Sequence, residues 1–429
     1  MSYLEDARMQ RGVKDLSTGA GWRFHILIFA AALVIIVLRR PDAILNPQFW
    51  AEDGTVFFAD AYNEGIIIPF LSQHGGYLDT FPRLVAAFSQ FFPLSWAPLL
   101  FNLFGLTVKA LPAVFILSSR LHELIPDFKA RLLLAFLYLS LPNSWEVNTG
   151  PLHGKIYLSL LAFMILCSST DNRLMSFIFD AGIVLLSGLS GPFCFILAPV
   201  SALLCFFRRN RRSFEFSAIL CICALVQGIV FFSSAASRPL RTLGASPSLF
   251  FKILGEQVFL GALIGQTGLQ KLSGFPGLFN MIIIISAAAG AAAYIYAFLK
   301  APLELRLFVL YAFLLFCAAL SSPLVNKTGP QWPLLLLPGV GGRYWFIPIL
   351  AFTSILVWSL RRASSRLSKV LAASAFAIMM TGIIADWRQP AFKDLNFSEY
   401  VFRFESAPIG TLTTMPINPP GRSMTLVRH

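Results

Sequence analysis

The 429-residue sequence carries little charge for its length, since only 13% of its residues are Asp, Glu, Lys or Arg. Soluble domains carry about a quarter charged residues, so this composition excludes an ordinary soluble enzyme. With 56% hydrophobic residues and 42 Phe, the chain is typical of an integral membrane protein. The net charge of +13 is therefore interpreted first as loop charge that sets membrane topology, and nucleic acid is not expected as a partner.

Paired cysteines, a leader peptide and internal repeats are also missing. The six cysteines lie in or beside apolar runs, without the spacing and neighbouring His residues that a zinc site needs. The first apolar run is followed by Arg39-Arg40-Pro41 and not by a small-residue cleavage motif, so it is expected to stay as an anchor. No repeat indicates the inverted halves of a secondary transporter.

The hydrophobic runs predict an all-α polytopic integral membrane protein with about eleven transmembrane helices, because about 20 apolar residues cross a bilayer core. The predicted spans lie near 23–39, 94–117, 131–142, 155–169, 174–189, 191–207, 214–233, 277–299, 304–320, 343–360 and 370–386. The third to fifth are short and interrupted by Pro, Gly and Asn, so a re-entrant hairpin is an alternative there. The stretch 246–272 mixes polar side chains into an apolar run and is predicted to be an amphipathic outer helix.

Loop charges set the predicted orientation. With the N-terminus inside, the cytoplasmic segments hold 18 basic and eight acidic residues, so most of the basic excess lies on that side. The positive-inside rule therefore predicts a cytoplasmic N-terminus and an outer C-terminus, in a membrane expected to be the bacterial inner membrane.

The polar residues concentrate on the predicted outer face. The membrane domain is predicted to span 1–386, and its first outer loop, 40–93, contains helical patterns at 54–65 and 78–92 that suit interfacial helices. Residues 387–429 are predicted to form a small extracytoplasmic tail. Alternating residues and turn signals there indicate a strand pair too small to fold alone.

The most distinctive motif is Phe49-Trp50-Ala51-Glu52-Asp53-Gly54, between the first span and an outer helical pattern. Neighbouring residues on a helix point about 100° apart, so one carboxylate can face a pocket while the other caps the helix or holds a metal. Two interpretations follow. The two acids act on a substrate at the water–lipid boundary, or they only stabilise a helix N-terminus.

A first span, an acidic pair that opens an outer interfacial helix, a second outer helix and a bundle of about ten further spans together resemble the GT-C superfamily of membrane glycosyltransferases. The resemblance implies a polyprenyl-phosphate-linked sugar donor, an outer-face lipid or cell-envelope glycan acceptor, and a catalytic acid in the first outer loop. Glu52 matches the family position of the general base, with Asp53 as its substitute or as a metal ligand. Many members carry Asp-Asp or Asp-Glu where this chain has Glu-Asp. Which carboxylate is the base therefore stays open, as does the need for a divalent metal.

Such a transfer needs a carboxylate to take the acceptor's proton and positive charge to stabilise the departing lipid phosphate. Arg343, within Gly341-Gly342-Arg343-Tyr344-Trp345, is the preferred phosphate holder because its planar fork suits phosphate oxygens; a membrane-interface anchor is the alternative. The other predicted phosphate holders are Lys327, Arg238, Arg241 and Arg83, and the further substrate-binding candidates are His74, Glu146, His153 and Tyr344.

Two other classes of function remain as alternatives. A transporter or flippase of lipid-linked sugars needs charges along a route through the membrane, and Lys109 and Asp180 are the clear candidates inside predicted spans. These two residues are expected either to pair with each other or to line a proton path. A non-catalytic assembly partner is the third interpretation.

Overall fold

A computed structural model describes residues 21–148, 150–169, 171, 173–234, 242–325, 329–362 and 365–429. The α-helices are Gly21–Arg39, Asp42–Leu45, Ala59–Asn63, Ile68–Leu71, Thr80–Ser89, Ala97–Leu117, Phe128–Ser140, Pro151–Cys167, Leu174–Gly188, Cys194–Arg208, Arg211–Ser233, Pro247–Ile253, Gly261–Ser273, Pro276–Lys300, Leu303–Ser321, Gln331–Leu334, Gly342–Arg362, Arg366–Ala385 and Phe397–Ser406. Short 3-10 turns lie at Leu94–Trp96, Ser119–Leu121 and Trp145–Val147, and π-helical segments at Asp53–Phe58 and Leu254–Leu260. Strands β1 (Leu412–Ile417) and β2 (Arg422–Val427) form an antiparallel pair.

The long helices confirm an all-helical polytopic membrane protein. In the described ranges, eight helices are long and apolar enough to cross a membrane, and three shorter apolar helices accompany them. A helix coincides with each of the eleven predicted spans, although the third, Phe128–Ser140, has only 13 residues. The number of crossings stays a prediction, because length and composition alone do not place a membrane.

One of the eight, Pro247–Ser273, was expected to lie on the outer face. Its helical course breaks at Gly265, whose φ of 70° and ψ of 178° are not helical. Just before the segment, Thr242 accepts a backbone hydrogen bond from Gln331, and just after the break the Asp386 carboxylate accepts one from Gln266. Gln331 precedes the helix Gly342–Arg362. Asp386 follows the next helix, Arg366–Ala385, which packs against Gly342–Arg362 and brings the chain back to the side where that helix begins. The segment up to Gly265 therefore begins and ends on one side of the bundle, as an outer or re-entrant helix does.

The first outer loop has the two helices that the sequence predicts. Asp53–Phe58 continues into Ala59–Asn63, and Thr80–Ser89 forms the second helix. The C-terminal hairpin, defined as strands β1 and β2 with their turn, packs on this loop. The Asn63 amide donates to the Thr425 carbonyl and accepts from the backbone N–H of Val427, at 3.0 and 2.9 Å. A hairpin too small to fold alone is thus stabilised by the first outer loop.

Two buried arginines at the end of the first span attach this loop to the rest of the outer face. The Arg39 guanidinium donates to the Leu139 and Leu141 carbonyls, at the C-terminus of Phe128–Ser140. The Arg40 guanidinium lies 3.6 Å from the centroid of the Phe392 ring. Cations suit helix C-termini and aromatic faces, so these side chains are structural anchors.

The two intramembrane charges do not pair with each other, and that expectation is wrong. Arg120 donates to Asp180 at 2.6 Å, and Lys109 donates to the Asn148 side chain. Because each charge has its own partner elsewhere in the fold, the structural pair between Lys109 and Asp180 is not formed, and the proton path stays a separate alternative.

Candidate active site in the first outer loop

The acidic pair, Glu52 and Asp53, follows a sharp turn in the backbone. Ala51 has a φ of 48°, in the left-handed region that non-glycine residues rarely adopt. Its backbone N–H donates to the Asn418 carbonyl at 2.6 Å, so the C-terminal tail holds the turn. Strain of this kind persists only where the surrounding structure fixes it. The turn precedes the π-helical segment, and the two carboxylates have different environments.

Asp53 is buried against a helix from another part of the chain. Its Oδ1 accepts from the backbone N–H of Leu152 at 2.9 Å, in the first turn of Pro151–Cys167. Its Oδ2 has no hydrogen-bond partner in the described parts of the chain and lies against Gly150, where an added Cβ would overlap it. The capping role considered from the sequence is therefore present, but it serves Pro151–Cys167 and not the helix that Asp53 begins.

Burial raises the pKa of Asp53 well above its ordinary value; the Leu152 N–H opposes this rise and the neighbouring Glu52 charge adds to it. Glu52 differs, because its Oε1 accepts from Arg422 Nη1 at 2.7 Å. Burial alone would raise the pKa of Glu52, but the ion pair with Arg422 outweighs it and leaves this pKa below the ordinary value. Two adjacent carboxylates with pKa values pushed apart are typical of acid–base sites.

His74 and a third carboxylate, that of Asp79, lie beside the acidic pair. Lys155, on helix Pro151–Cys167, donates to the buried Asp79 at 2.8 Å. Burial lowers the pKa of His74, and the Asp79 and Glu52 charges only partly offset this effect. The imidazole is therefore neutral near pH 7 and able to accept or donate a hydrogen bond.

Three of the other predicted residues form a second cluster. Arg343 donates to the Glu146 carboxylate through its guanidinium and through its backbone N–H, and it also donates to the Tyr344 hydroxyl at 3.0 Å. Trp145, next to Glu146, packs edge-on against Trp50 with ring centroids 5.7 Å apart. The two tryptophans therefore connect this cluster with the acidic pair. Arg343 is engaged by Glu146, so phosphate binding there requires it to exchange partners.

The remaining predicted site residues are His153, Arg83 and three phosphate holders. His153 is buried, next to Leu152 in the helix that Asp53 caps. Arg83 is buried and donates to Asp60 at 2.6 Å, so it braces the two helices of the first outer loop instead of offering a free cation. Three predicted phosphate holders lie outside the described residues, namely Lys327, Arg238 and Arg241.

Asp79, Lys155 and Arg422 were not among the predicted site residues. Lys155 belongs to the polar stretch His153-Gly154-Lys155, and that stretch is the signal that could have indicated it. For Arg422, the local sequence offers no such signal, since its partner Glu52 lies 370 residues earlier.

A metal site finds little support in these side chains. In the parts of the chain that the structure describes, no three His, Cys, Asp or Glu side chains lie together so that they could hold a metal ion. Glu52 and Asp79 each pair with a cation instead. The described residues therefore do not fit a metal site built from three protein ligands.

Comparison with known proteins found neither a matching family model nor a similar curated sequence. The structure is similar to the crystal structure of the Archaeoglobus fulgidus oligosaccharyltransferase in complex with Zn and sulfate, with a TM-score of 0.46 and 15% sequence identity. The match covers 89% of this chain and 55% of the other, so the chain spans about half the length of that protein.

Proposed function

We propose that the protein is a membrane glycosyltransferase of the GT-C kind, which moves one sugar from a polyprenyl-phosphate-linked donor to an outer-face lipid or cell-envelope glycan. The observation that supports this most is the acidic pair, in which an ionised Glu52 beside Arg422 adjoins a buried Asp53. Asp53 is 1% exposed and the Glu52 side chain 24% exposed, so the first carboxylate is shielded from bulk water and the second is reached by it only in part. The proposed location is the bacterial inner membrane, with the N-terminus inside.

In this mechanism Glu52 is the general base. Its carboxylate accepts the proton of the acceptor hydroxyl while that oxygen forms a bond to the anomeric carbon of the donor. The bond between the anomeric carbon and the phosphate oxygen breaks, and the lipid phosphate leaves with the electron pair. A base must be ionised before it acts, and the ion pair with Arg422 favours that state of Glu52.

Arg422 also supplies the charge that the leaving group needs. Once Glu52 has taken the proton, it no longer attracts the Arg422 guanidinium, whose side chain is 44% exposed. The cation is then free to bind the departing phosphate, and its planar fork suits phosphate oxygens. Arg343 stays a second candidate, after exchange from Glu146, and Asp53 positions helix Pro151–Cys167 with its His153 and Lys155.

Sugar transfer by the purified protein, with a polyprenyl-phosphate sugar as donor, tests these roles. Glu52→Gln is expected to lower the rate by about 100-fold or more, since general-base catalysis contributes about 10²–10⁴. Asp53→Asn keeps an acceptor for the Leu152 N–H and should cost much less. Glu64→Gln, at an exposed position of the same loop, is the matched control. Full activity in both acidic-pair variants would contradict the proposal, and a larger loss in Asp53→Asn would exchange their roles.

A further inference from the structure

A cavity opens on the side of the bundle where the acidic pair lies. Its volume is about 160 Å³, and its walls come from the segment Pro247–Ser273, the start of helix Pro276–Lys300 and the loop before Gly342–Arg362. A water molecule occupies about 30 Å³ in the liquid, so the space holds about five waters or a ligand of similar size. None of the residues proposed for sugar transfer lines it.

The floor of this cavity is polar and held in place. Glu256 and Gln257 are 5% and 2% exposed, and both lie in the π-helical segment Leu254–Leu260. The Gln257 amide donates to Glu256 Oε1 at 3.0 Å, while Asn143 donates to the Gln257 backbone carbonyl at 2.9 Å. Segments of π-helix are rare and frequently mark functional sites, and the other one described in this chain carries Asp53.

The lining indicates the chemical class of the ligand. Lys252 and Glu256 lie one turn apart in the lining, so an ammonium group and a carboxyl group face the same space. A carboxylate and the amide of Gln266 are acceptors and donors suited to hydroxyl groups. Phe279 and Pro338 add apolar surface for C–H groups. A few polar groups in an otherwise apolar concave wall are typical of small-ligand sites, and this set suits a sugar ring.

Trp145 connects the cavity with the acidic pair. A Cβ added at Gly339, in the cavity wall, would lie 2.9 Å from both Gln266 Nε2 and Trp145 Nε1. Trp145 Nε1 is buried behind Gly339 without a hydrogen-bond partner in the described residues. The same indole packs edge-on against Trp50, two residues before Glu52.

Building on the function proposed above, we infer that this cavity binds one monosaccharide unit of a hydroxyl-rich glycan acceptor. The ligand is recognised through Glu256 and Gln266. The cavity is thus an acceptor subsite, separate from the groups that carry out the transfer.

Binding of methyl α-glucoside, methyl α-mannoside and methyl α-galactoside to the full-length protein in detergent tests the inference, with tryptophan fluorescence as the readout. Gln266→Leu is expected to weaken binding at least tenfold, and Glu256→Gln provides a second variant if the first does not fold. Gln270→Leu makes the same change at an exposed position of the same helix and should bind like the wild type. Absence of binding by the wild type, equal binding by Gln266→Leu and Gln270→Leu, or displacement by inorganic phosphate would overturn the inference.

A transfer assay on the same variants separates this inference from the proposed function. If glycoside binding is lost in Gln266→Leu but the wild type transfers no sugar, the cavity is a sugar site and the enzyme proposal fails. If the wild type transfers sugar and Gln266→Leu changes neither glycoside binding nor the KM for the acceptor, only the acceptor subsite fails.

Discussion

Gly150→Ala directly tests how Asp53 is held. An added Cβ would overlap the Asp53 carboxylate, whereas the φ of −62° at Gly150 is open to any residue, so the cost is steric. Overpacking costs about 1–3 kcal/mol. If the carboxylate moves away from the Leu152 N–H, a buried donor is left unsatisfied, for about 1–3 kcal/mol more. We therefore expect a total destabilisation of about 2–6 kcal/mol.

Thermal unfolding of the purified protein in detergent measures the effect as a fall in Tm. Gly277→Ala is the matched control, because this glycine also lies at the start of a helix but has open space around it. The substitution is then repeated in an Asp53→Ala background. Without the carboxylate the two changes should be strongly non-additive, with Gly150→Ala costing about 1 kcal/mol or less. An equal fall in Tm in both backgrounds, or one no larger than in Gly277→Ala, would refute the contact.

Two further predictions concern ion pairs. In Arg422→Gln the burial of Glu52 remains while the cation that lowers its pKa is gone, so this pKa rises and the acidic limb of the pH–activity profile moves to higher pH; a limb that stays in place would exclude Glu52 as the base or Arg422 as its partner. Asp180→Ala leaves the Arg120 guanidinium without its carboxylate and should destabilise the fold by about 3–5 kcal/mol, because both side chains are largely buried. Glu399→Ala removes the exposed helix pair with Arg403 and should cost about 0–1 kcal/mol, so equal falls in Tm would contradict the buried character of the Asp180 pair.

The helices were predictable because their signals are local. A run of apolar residues indicates a span whatever its neighbours, and helices coincide with all eleven predicted runs. The outer helices coincide with the two helical patterns predicted at 54–65 and 78–92. The first is Asp53–Phe58 continued by Ala59–Asn63, and the second is Thr80–Ser89. The tail strands were likewise indicated by alternation and turn residues.

The partners of charged side chains were not predictable, because they depend on which distant segments meet. One interpretation of the sequence was that Asp53 caps its own helix, whereas the fold brings the Leu152 N–H to it. Arg343 was expected to hold phosphate, and in the fold its guanidinium forms an ion pair with the Glu146 carboxylate. Lys109 and Asp180 are both charged residues within predicted spans, so the sequence does not distinguish their roles. Their positions in the bundle give Lys109 the Asn148 side chain as partner and Asp180 the Arg120 guanidinium.

The docking of the C-terminal hairpin on the first outer loop has a consequence for biosynthesis. At about 5–20 residues per second, a ribosome makes Arg422 roughly 20 to 70 s after Glu52, since 370 residues separate them. During that interval the nascent chain holds the Glu52 carboxylate but not the guanidinium that pairs with it. Under the function proposed above, the ion pair of the general base therefore forms only after the last stretch of the chain has been made, and a chain released before Arg422 is expected to be inactive.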